Sequence, residues 1–208
     1  MTLITIDGNI GCGKTGVLNY LHKTYRYPID LEPVDNWQED LNLIYNDMNN
    51  NNNLFNFQVK IWLDRCWIQN NIDSEFVLVE RSPAFIKNIF IKYAYDNNII
   101  SKDQNDILEY LHNKTNHIWK DNVYIYLRSN PESCMARIKK RNRKSEDKIK
   151  LDYLNDINNL HNEYYDKLKS QNVNIHIIDV ENKNINTIGN EVKLLIDKIK
   201  KTINRNVY

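Results

Sequence analysis

The 208-residue chain is poor in glycine, with 5, and in proline, with 4. Average usage near 7 % would supply about three times as many glycines. No Pro-rich linker, internal repeat or break in composition divides the chain, so one domain over residues 1–208 is expected. Its 3 cysteines, Cys12, Cys66 and Cys134, are odd in number, far apart and in no C-x-x-C pair. That excludes a disulfide framework and a zinc site and points to a reducing, cytoplasmic setting. No apolar run approaches the roughly 20 residues of a membrane helix, so no membrane partner is expected. The opening Met-Thr-Leu-Ile-Thr-Ile-Asp lacks the charged-then-apolar order of a signal peptide and reads as a strand. Excess charge is missing too: 28 Lys and Arg against 27 Asp and Glu give a net +1, which argues against a nucleic-acid partner. What the chain has in abundance is asparagine, 34 residues, which reads as the codon bias of an AT-rich genome.

Short β-rich runs alternate with helical patterns. Strands are expected at Leu3–Asp7, Tyr27–Leu31, Phe76–Glu80, Val123–Leu127 and Val173–Val180. Helices are expected at Lys14–Tyr25, Asp40–Met48, Leu54–Asn70, Ala84–Tyr95, Lys102–Trp119, Pro131–Lys140, Leu151–Ser170 and Asn186–Ile203. The run Asn49–Asn53 reads as a surface loop without packing potential. The alternation predicts an α/β fold, a five-stranded parallel sheet with helices on both faces.

Four of the five glycines, Gly8, Gly11, Gly13 and Gly16, fall within nine residues. Gly8-Asn9-Ile10-Gly11-Cys12-Gly13-Lys14-Thr15 matches G-x-x-x-x-G-K-[ST] between a strand and an amphipathic helix, the context a phosphate-binding P-loop requires. Its backbone N–H groups and the helix N-terminus would cradle phosphates, Lys14 would reach the β- and γ-phosphates, and the Thr15 hydroxyl would ligate Mg²⁺. The carboxyl ends of parallel strands share the edge where ligands bind, and that edge receives Glu32, Glu80 and Arg81. Two carboxylates and an arginine beside a nucleotide describe phosphoryl transfer: one acid to accept a hydroxyl proton, one to manage Mg²⁺, one cation for transition-state charge.

In order along nearly the whole chain, the loop Gly8–Thr15, Glu32-Pro-Val-Asp-Asn-Trp37, Glu80-Arg-Ser82 and Arg137-Ile-Lys-Lys-Arg-Asn-Arg143 resemble the deoxynucleoside kinase family. The resemblance implies a P-loop kinase three-layer fold, ATP and a deoxynucleoside as small-molecule substrates, Mg²⁺ and a homodimer. It also implies Glu32 as the base for the 5′-hydroxyl, Arg81 holding Glu32, and Glu80 beside the metal. By the same resemblance Trp37 and Phe57 wall the base pocket, Gln58 reads the base edge, and Tyr45 and Glu146 meet the sugar 3′-hydroxyl. The stretch 137–150 carries eight cations against two acids. Such a run is ordinarily a solvated face; here Arg137, Arg141 and Arg143 match a lid over the ATP phosphates, and Asp179 falls where the family places its adenine loop.

The pattern departs from the family around the base. Phe57, Gln58, Ile61 and Arg65 share one helix face. Arg65 matches an arginine of the deoxycytidine and deoxyguanosine kinases, but the aspartate that accompanies it there is Ile86 here, and Pro83 follows Ser82. An arginine without that partner suits thymine O4 or guanine O6, so thymidine is expected first and deoxyguanosine second. Alternatively Arg65 pairs with Asp64 or another nearby acid and reads nothing. A thymidylate kinase is the rival reading, with an idle P-loop regulator or a DNA-linked ATPase behind it. The first normally carries Asp-Arg-Tyr rather than Glu-Arg-Ser, and the second usually loses one of Lys14, Thr15, Glu32 or Arg81.

Overall fold

The computed structural model of the protein describes residues 2–66, 74–115 and 122–205. In chain order its elements are β1 (Thr2–Asp7), α1 (Lys14–Tyr25), β2 (Ile29–Asp30), α2 (Gln38–Asn46), α3 (Asn51–Cys66) and β3 (Phe76–Glu80). There follow α4 (Pro83–Phe85), a π-helical stretch Ile86–Ile91, α5 (Lys92–Asp96), α6 (Lys102–Thr115) and β4 (Asn122–Arg128). Then come α7 (Pro131–Arg141), a 3₁₀ turn Lys144–Glu146, α8 (Leu151–Ser170), β5 (Ile175–Asp179) and α9 (Ile185–Arg205). The expected tails of α3 and α6, residues 67–70 and 116–119, lie outside the described residues.

The five strands form one all-parallel sheet in the order β2-β3-β1-β4-β5. The strand that leads into the P-loop is therefore central, and the order reverses beside it, which opens a crevice at the carboxyl edge. Alternation along β4 shows the three layers: Val123, Ile125 and Leu127 pack with Val17, Leu18, Val192 and Ile196 of α1 and α9. Tyr124 and Tyr126 point the other way, toward Ile157 and Tyr165 of α8, with Tyr126 stacked on Tyr165 at 3.9 Å between centroids. A third apolar cluster, Trp37, Leu41, Ile44, Phe57, Ile61 and Leu108 among its members, builds the wall beyond β2. The sheet is thus α/β in three layers, as the alternation predicts.

Three local departures have physical causes. Strand β2 is only two residues long because its neighbours leave the ladder at once: Pro28 has no N–H and only its carbonyl accepts, from Leu78 N at 3.0 Å. Asparagines 51–53 are the first turn of α3 rather than loop, because Asn50 caps the helix, accepting from Asn53 N at 3.2 Å through its side chain. The helix expected at Ala84–Tyr95 opens with Pro83 at its first position and relaxes into a π-helical stretch over Ile86–Ile91.

Arg65 overturns the expectation that it reads a base. Its side chain is fully buried, and Nη2 lies 2.7 Å from Asp30 Oδ2 while donating to the Glu80 carbonyl at 2.9 Å. Nη1 donates to the Leu31 carbonyl at 3.2 Å. Arg65 therefore clamps α3 to the ends of β2 and β3, ion-paired with a carboxylate 35 residues back in sequence. The adjacent acid, Asp64, accepts instead from Trp37 Nε1 at 2.6 Å. Arg65→Met strands the Asp30 carboxylate in the core and is expected to cost about 3–5 kcal/mol. Adding Asp30→Leu should recover a large part of that loss. Denaturant midpoints of the two variants check this, and unchanged stability in Arg65→Met would contradict the clamp.

Candidate functional site

The loop between β1 and α1 has backbone that side chains rarely tolerate. Gly8, Gly11 and Gly13 take φ of 147°, 82° and 105°. A Cβ on Gly11 would lie 2.6 Å from the Cys134 carbonyl oxygen, so the loop is also pressed against α7. Asn9, 1 % exposed, donates through Nδ2 to the Leu154 carbonyl at 2.9 Å and pins the loop to α8. Cys12 is buried and Gly8 lies behind it, so both shape the loop from beneath. Lys14 Nζ donates to the Gly8 and Asn9 carbonyls, 3.1 Å each, which hold the ammonium over the loop.

Strand ends bring the acids to this loop. Ile6 pairs with Glu80 in the β1–β3 register, which places Glu80 beside α1. Glu80 Oε1 accepts from Thr15 Oγ1 at 2.6 Å, and Oε2 accepts from Glu32 N at 3.4 Å. Burial and the neighbouring Glu32 charge push the Glu80 carboxyl above its ordinary range. Arg81 follows in a left-handed conformation, φ 58°, its N–H donating to the Ile6 carbonyl. Its Nε donates to Glu32 Oε1 at 2.8 Å, and Nη1 lies 3.4 Å from Asp7 Oδ1. The Phe90 ring lies under the guanidinium, 4.5 Å from Cζ to centroid. Burial alone would pull the Arg81 pKa down, but Glu32, Asp7 and Glu80 together hold it up. The buried Asp7 carboxyl is held below the ordinary range by Arg81, His161 and Lys14 against the opposing effect of burial.

These groups open onto a cavity of about 370 Å³, a size suited to a small-molecule ligand. One end is the loop, with Ile10, Gly11, Gly13, Lys14 and Thr15. The other is walled by Trp37, Tyr45, Phe57 and Gln58, with Glu32, Glu80 and Arg81 between the two. Trp37 and Phe57 meet edge to face at 5.9 Å. Gln58, 3 % exposed, has an Oε1 without a hydrogen-bond partner, which a buried amide does not tolerate at no cost. Burial drives the Tyr45 phenol well above its ordinary pKa, so it stays protonated. Glu146 lines the same cavity and accepts from Arg141 Nε and Nη2 at 3.0 and 2.6 Å, with Arg143 Nη1 at 3.6 Å.

Not every expected residue arrives. Arg65 is absent from the cavity lining, consistent with its clamp. Arg137 also lies apart: its Nη1 donates to Ser129 Oγ at 2.7 Å and its Nη2 to the Val180 carbonyl at 3.5 Å. Asp179 is an exposed partner of Arg128 at 3.3 Å. The acid that organises that loop is Glu181, which accepts from Ser129 Oγ, Asn130 N and Ser133 Oγ at 2.6, 2.8 and 2.7 Å and so caps α7. Sequence reasoning missed Phe90 and Tyr153 in the lining. The available signal for Phe90 was its place four residues after Ile86 on a helix that begins at the site. The neighbour that ties Asp7 to the site, His161, had no such signal.

The arrangement can bind phosphate at one end, hold a flat polar ring at the other, and set a carboxylate between them. Among described residues no group of three or more His, Cys, Asp or Glu could hold a metal by itself, and no helix is long and apolar enough to cross a membrane. Comparison with known proteins identifies the family and the fold. The sequence profile described as "Deoxynucleoside kinase" matches residues 4–204. Protein 143R of Invertebrate iridescent virus 6 is 36 % identical over 159 residues, 76 % of this chain and 80 % of that one. Human mitochondrial thymidine kinase 2 is 28 % identical over 173 residues, 78 % of this chain and 64 % of that one. The solved structure of deoxyadenosine kinase from M. mycoides, with dCMP and dCDP bound, superposes with a TM-score of 0.80 at 24 % identity, covering 95 % of this chain and 99 % of that one. That likeness carries the fold, the profile carries the family, and the chain belongs to the deoxynucleoside kinases.

Proposed function

We propose that the protein transfers the γ-phosphate of ATP to the 5′-hydroxyl of a deoxynucleoside. One observation carries the reading: Glu32 is held by Arg81 at 2.8 Å between the phosphate-binding loop and an aromatic pocket into which Gln58 brings an unpartnered amide oxygen. In the reaction Glu32 accepts the 5′-hydroxyl proton while the 5′-oxygen bonds the γ-phosphorus and the bond to the ADP oxygen breaks. Arg81 keeps Glu32 aimed and adds positive charge where the phosphoryl group passes. Lys14 holds the β- and γ-phosphates, and Arg141 and Arg143 lie where they can close over them. Tyr45, protonated, and Glu146 face the sugar and support recognition of the 3′-hydroxyl. Arg137 and the loop at Asp179 and Glu181 border the donor end from outside the cavity.

The donor set suits Mg²⁺: a hydroxyl and a carboxylate, Thr15 and Glu80, are hard oxygen ligands 2.6 Å apart, and this ion takes few protein ligands when phosphates supply the rest. Bound there, it would neutralise phosphate charge. The reading keeps the homodimer of the resemblance, which Leu63 of α3 and Ile107 and Tyr110 of α6 support, being 52 %, 50 % and 62 % exposed. Arg65, inside its clamp and outside the cavity lining, selects neither thymine nor guanine. The base edge is left to Gln58, whose amide offers both a donor and an acceptor, and Ile86 adds no charge; this supports acceptance of more than one base. A nucleotide acceptor is disfavoured, because its phosphate would meet the adjoining Glu32 and Glu80 carboxylates.

Labelled ATP offered with four deoxynucleosides and their monophosphates tests the reading, with transfer to deoxynucleosides expected and transfer to monophosphates alone overturning it. Glu32→Gln is expected to lower kcat at least about 100-fold with ATP affinity kept; normal turnover would remove Glu32 as base. Gln58→Leu should raise the deoxynucleoside KM about ten-fold or more and leave the ATP KM alone, and an unchanged KM would take Gln58 out of base recognition.

A further inference from the structure

The lid and the acceptor wall meet at a polar seam that the phosphoryl-transfer reading leaves unused. The 3₁₀ turn Lys144–Glu146 packs against α2. Ser145, 3 % exposed, donates its hydroxyl hydrogen to Gln38 Oε1 at 2.7 Å. The other end of the same amide, Gln38 Nε2, donates to the Val34 carbonyl at 3.1 Å. That carbonyl can only accept, so it fixes the orientation of the amide and presents Oε1 to Ser145. One side chain therefore joins the lid turn to the segment 34–37 that follows Glu32 and carries Trp37.

What hangs on each end of this bridge differs in kind. On the lid side, Ser145 precedes Glu146, which holds Arg141 and Arg143. On the acceptor side, Gln38 is the first residue of α2, the helix that delivers Leu41, Ile44 and Tyr45 to the cavity. The phosphate-facing cations and the sugar-facing tyrosine thus belong to two units with a shared hydrogen-bonded contact. A buried serine hydroxyl aimed at a half-buried amide whose other end is already engaged is a specific joint.

We infer that Gln38 and Ser145 are positioning residues that couple the binding of donor and acceptor; this rests on the kinase reading above. A nucleoside resting on Trp37 and Tyr45 holds segment 34–37 and α2 in place. Through Gln38 that fixes Ser145, and with it the turn that sets Arg141 and Arg143. The cost of ordering the lid then falls once rather than twice, so the second substrate binds more tightly than it would alone. Linkage requires the same factor whichever substrate binds first. One neutral hydrogen bond corresponds to a coupling of about five-fold.

Titration calorimetry with the full chain tests this, using the deoxynucleoside that it phosphorylates fastest, with and without the magnesium complex of a non-hydrolysable imido analogue of ATP. In the wild type the analogue is expected to tighten nucleoside binding about five-fold. Gln38→Leu and Ser145→Ala should each bring that factor below about two-fold, with each ligand's affinity on its own within about two-fold of wild type. Ser145→Thr keeps the hydroxyl and should keep the coupling, and the double variant should be no worse than either single one. If Gln38→Leu does not fold, Ser145→Ala carries the test alone. Undiminished coupling in the variants, or none in the wild type, would overturn the inference and leave the kinase reading standing. A wild-type chain that phosphorylates no deoxynucleoside overturns the kinase reading, and the inference with it.

Discussion

The guanidinium of Arg81 is the contact on which the rest of the site depends. It stands at the end of the strand next to β1, and its left-handed backbone turns the side chain back across the sheet edge toward the P-loop. From there it reaches Glu32 from the end of β2 and Asp7 from the end of β1, with Phe90 beneath it. Three carboxylates, of Asp7, Glu32 and Glu80, are gathered within a few residues of strand end. Left to themselves they would repel one another in a buried place, and one or more would take up a proton. Arg81 lets Glu32 and Asp7 share one countercharge, while burial first and the Glu32 charge second push the Glu80 carboxyl up. The chemistry of the site thus follows from a strained backbone position and the charge that it points inward.

The scarcity of glycine takes on a physical meaning in this frame. Gly8, Gly11 and Gly13 occupy positive φ, and the first two also lie against backbone carbonyls, so the conformation of the loop itself requires them. Gly16 and Gly189 serve packing instead. A Cβ on Gly16 would come within 3.0 Å of Ile185 Cδ1, and one on Gly189 within 2.2 Å of the Tyr20 ring. Both let α1 and α9 approach closely on one face of the sheet. That face carries the helix whose N-terminus completes the P-loop, so the remaining glycines support the same site from behind.

Local sequence made much of this legible. The P-loop, the strand order's alternation and the pair Glu80-Arg81 are short patterns whose geometry is set by neighbours in the chain, and α1, β3 and α8 lie where periodicity put them. The aromatic wall followed from Trp37 and Phe57, which do meet. What failed depended on partners far away. Arg65 shares a helix face with Gln58, yet about two turns further along it reaches Asp30 rather than the cavity, and no spacing rule joins residues 30 and 65. Arg137 belongs to the same basic run as Arg141 and Arg143, but the turn of α7 sends it to Ser129 and Val180, just past the carboxyl ends of β4 and β5, rather than to the cavity wall. Asparagines 51–53 looked like loop because their composition is polar, whereas the cap at Asn50 decided the matter.

In the proposed reaction the forked guanidinium of Arg81, and not its positive charge alone, holds Glu32 in line with the donor phosphate. The kcat of Arg81→Lys tests it most directly, since lysine keeps the charge and loses the fork. A fall in kcat of at least about 100-fold is expected, with the ATP KM within about three-fold of wild type. A kcat close to wild type would contradict it.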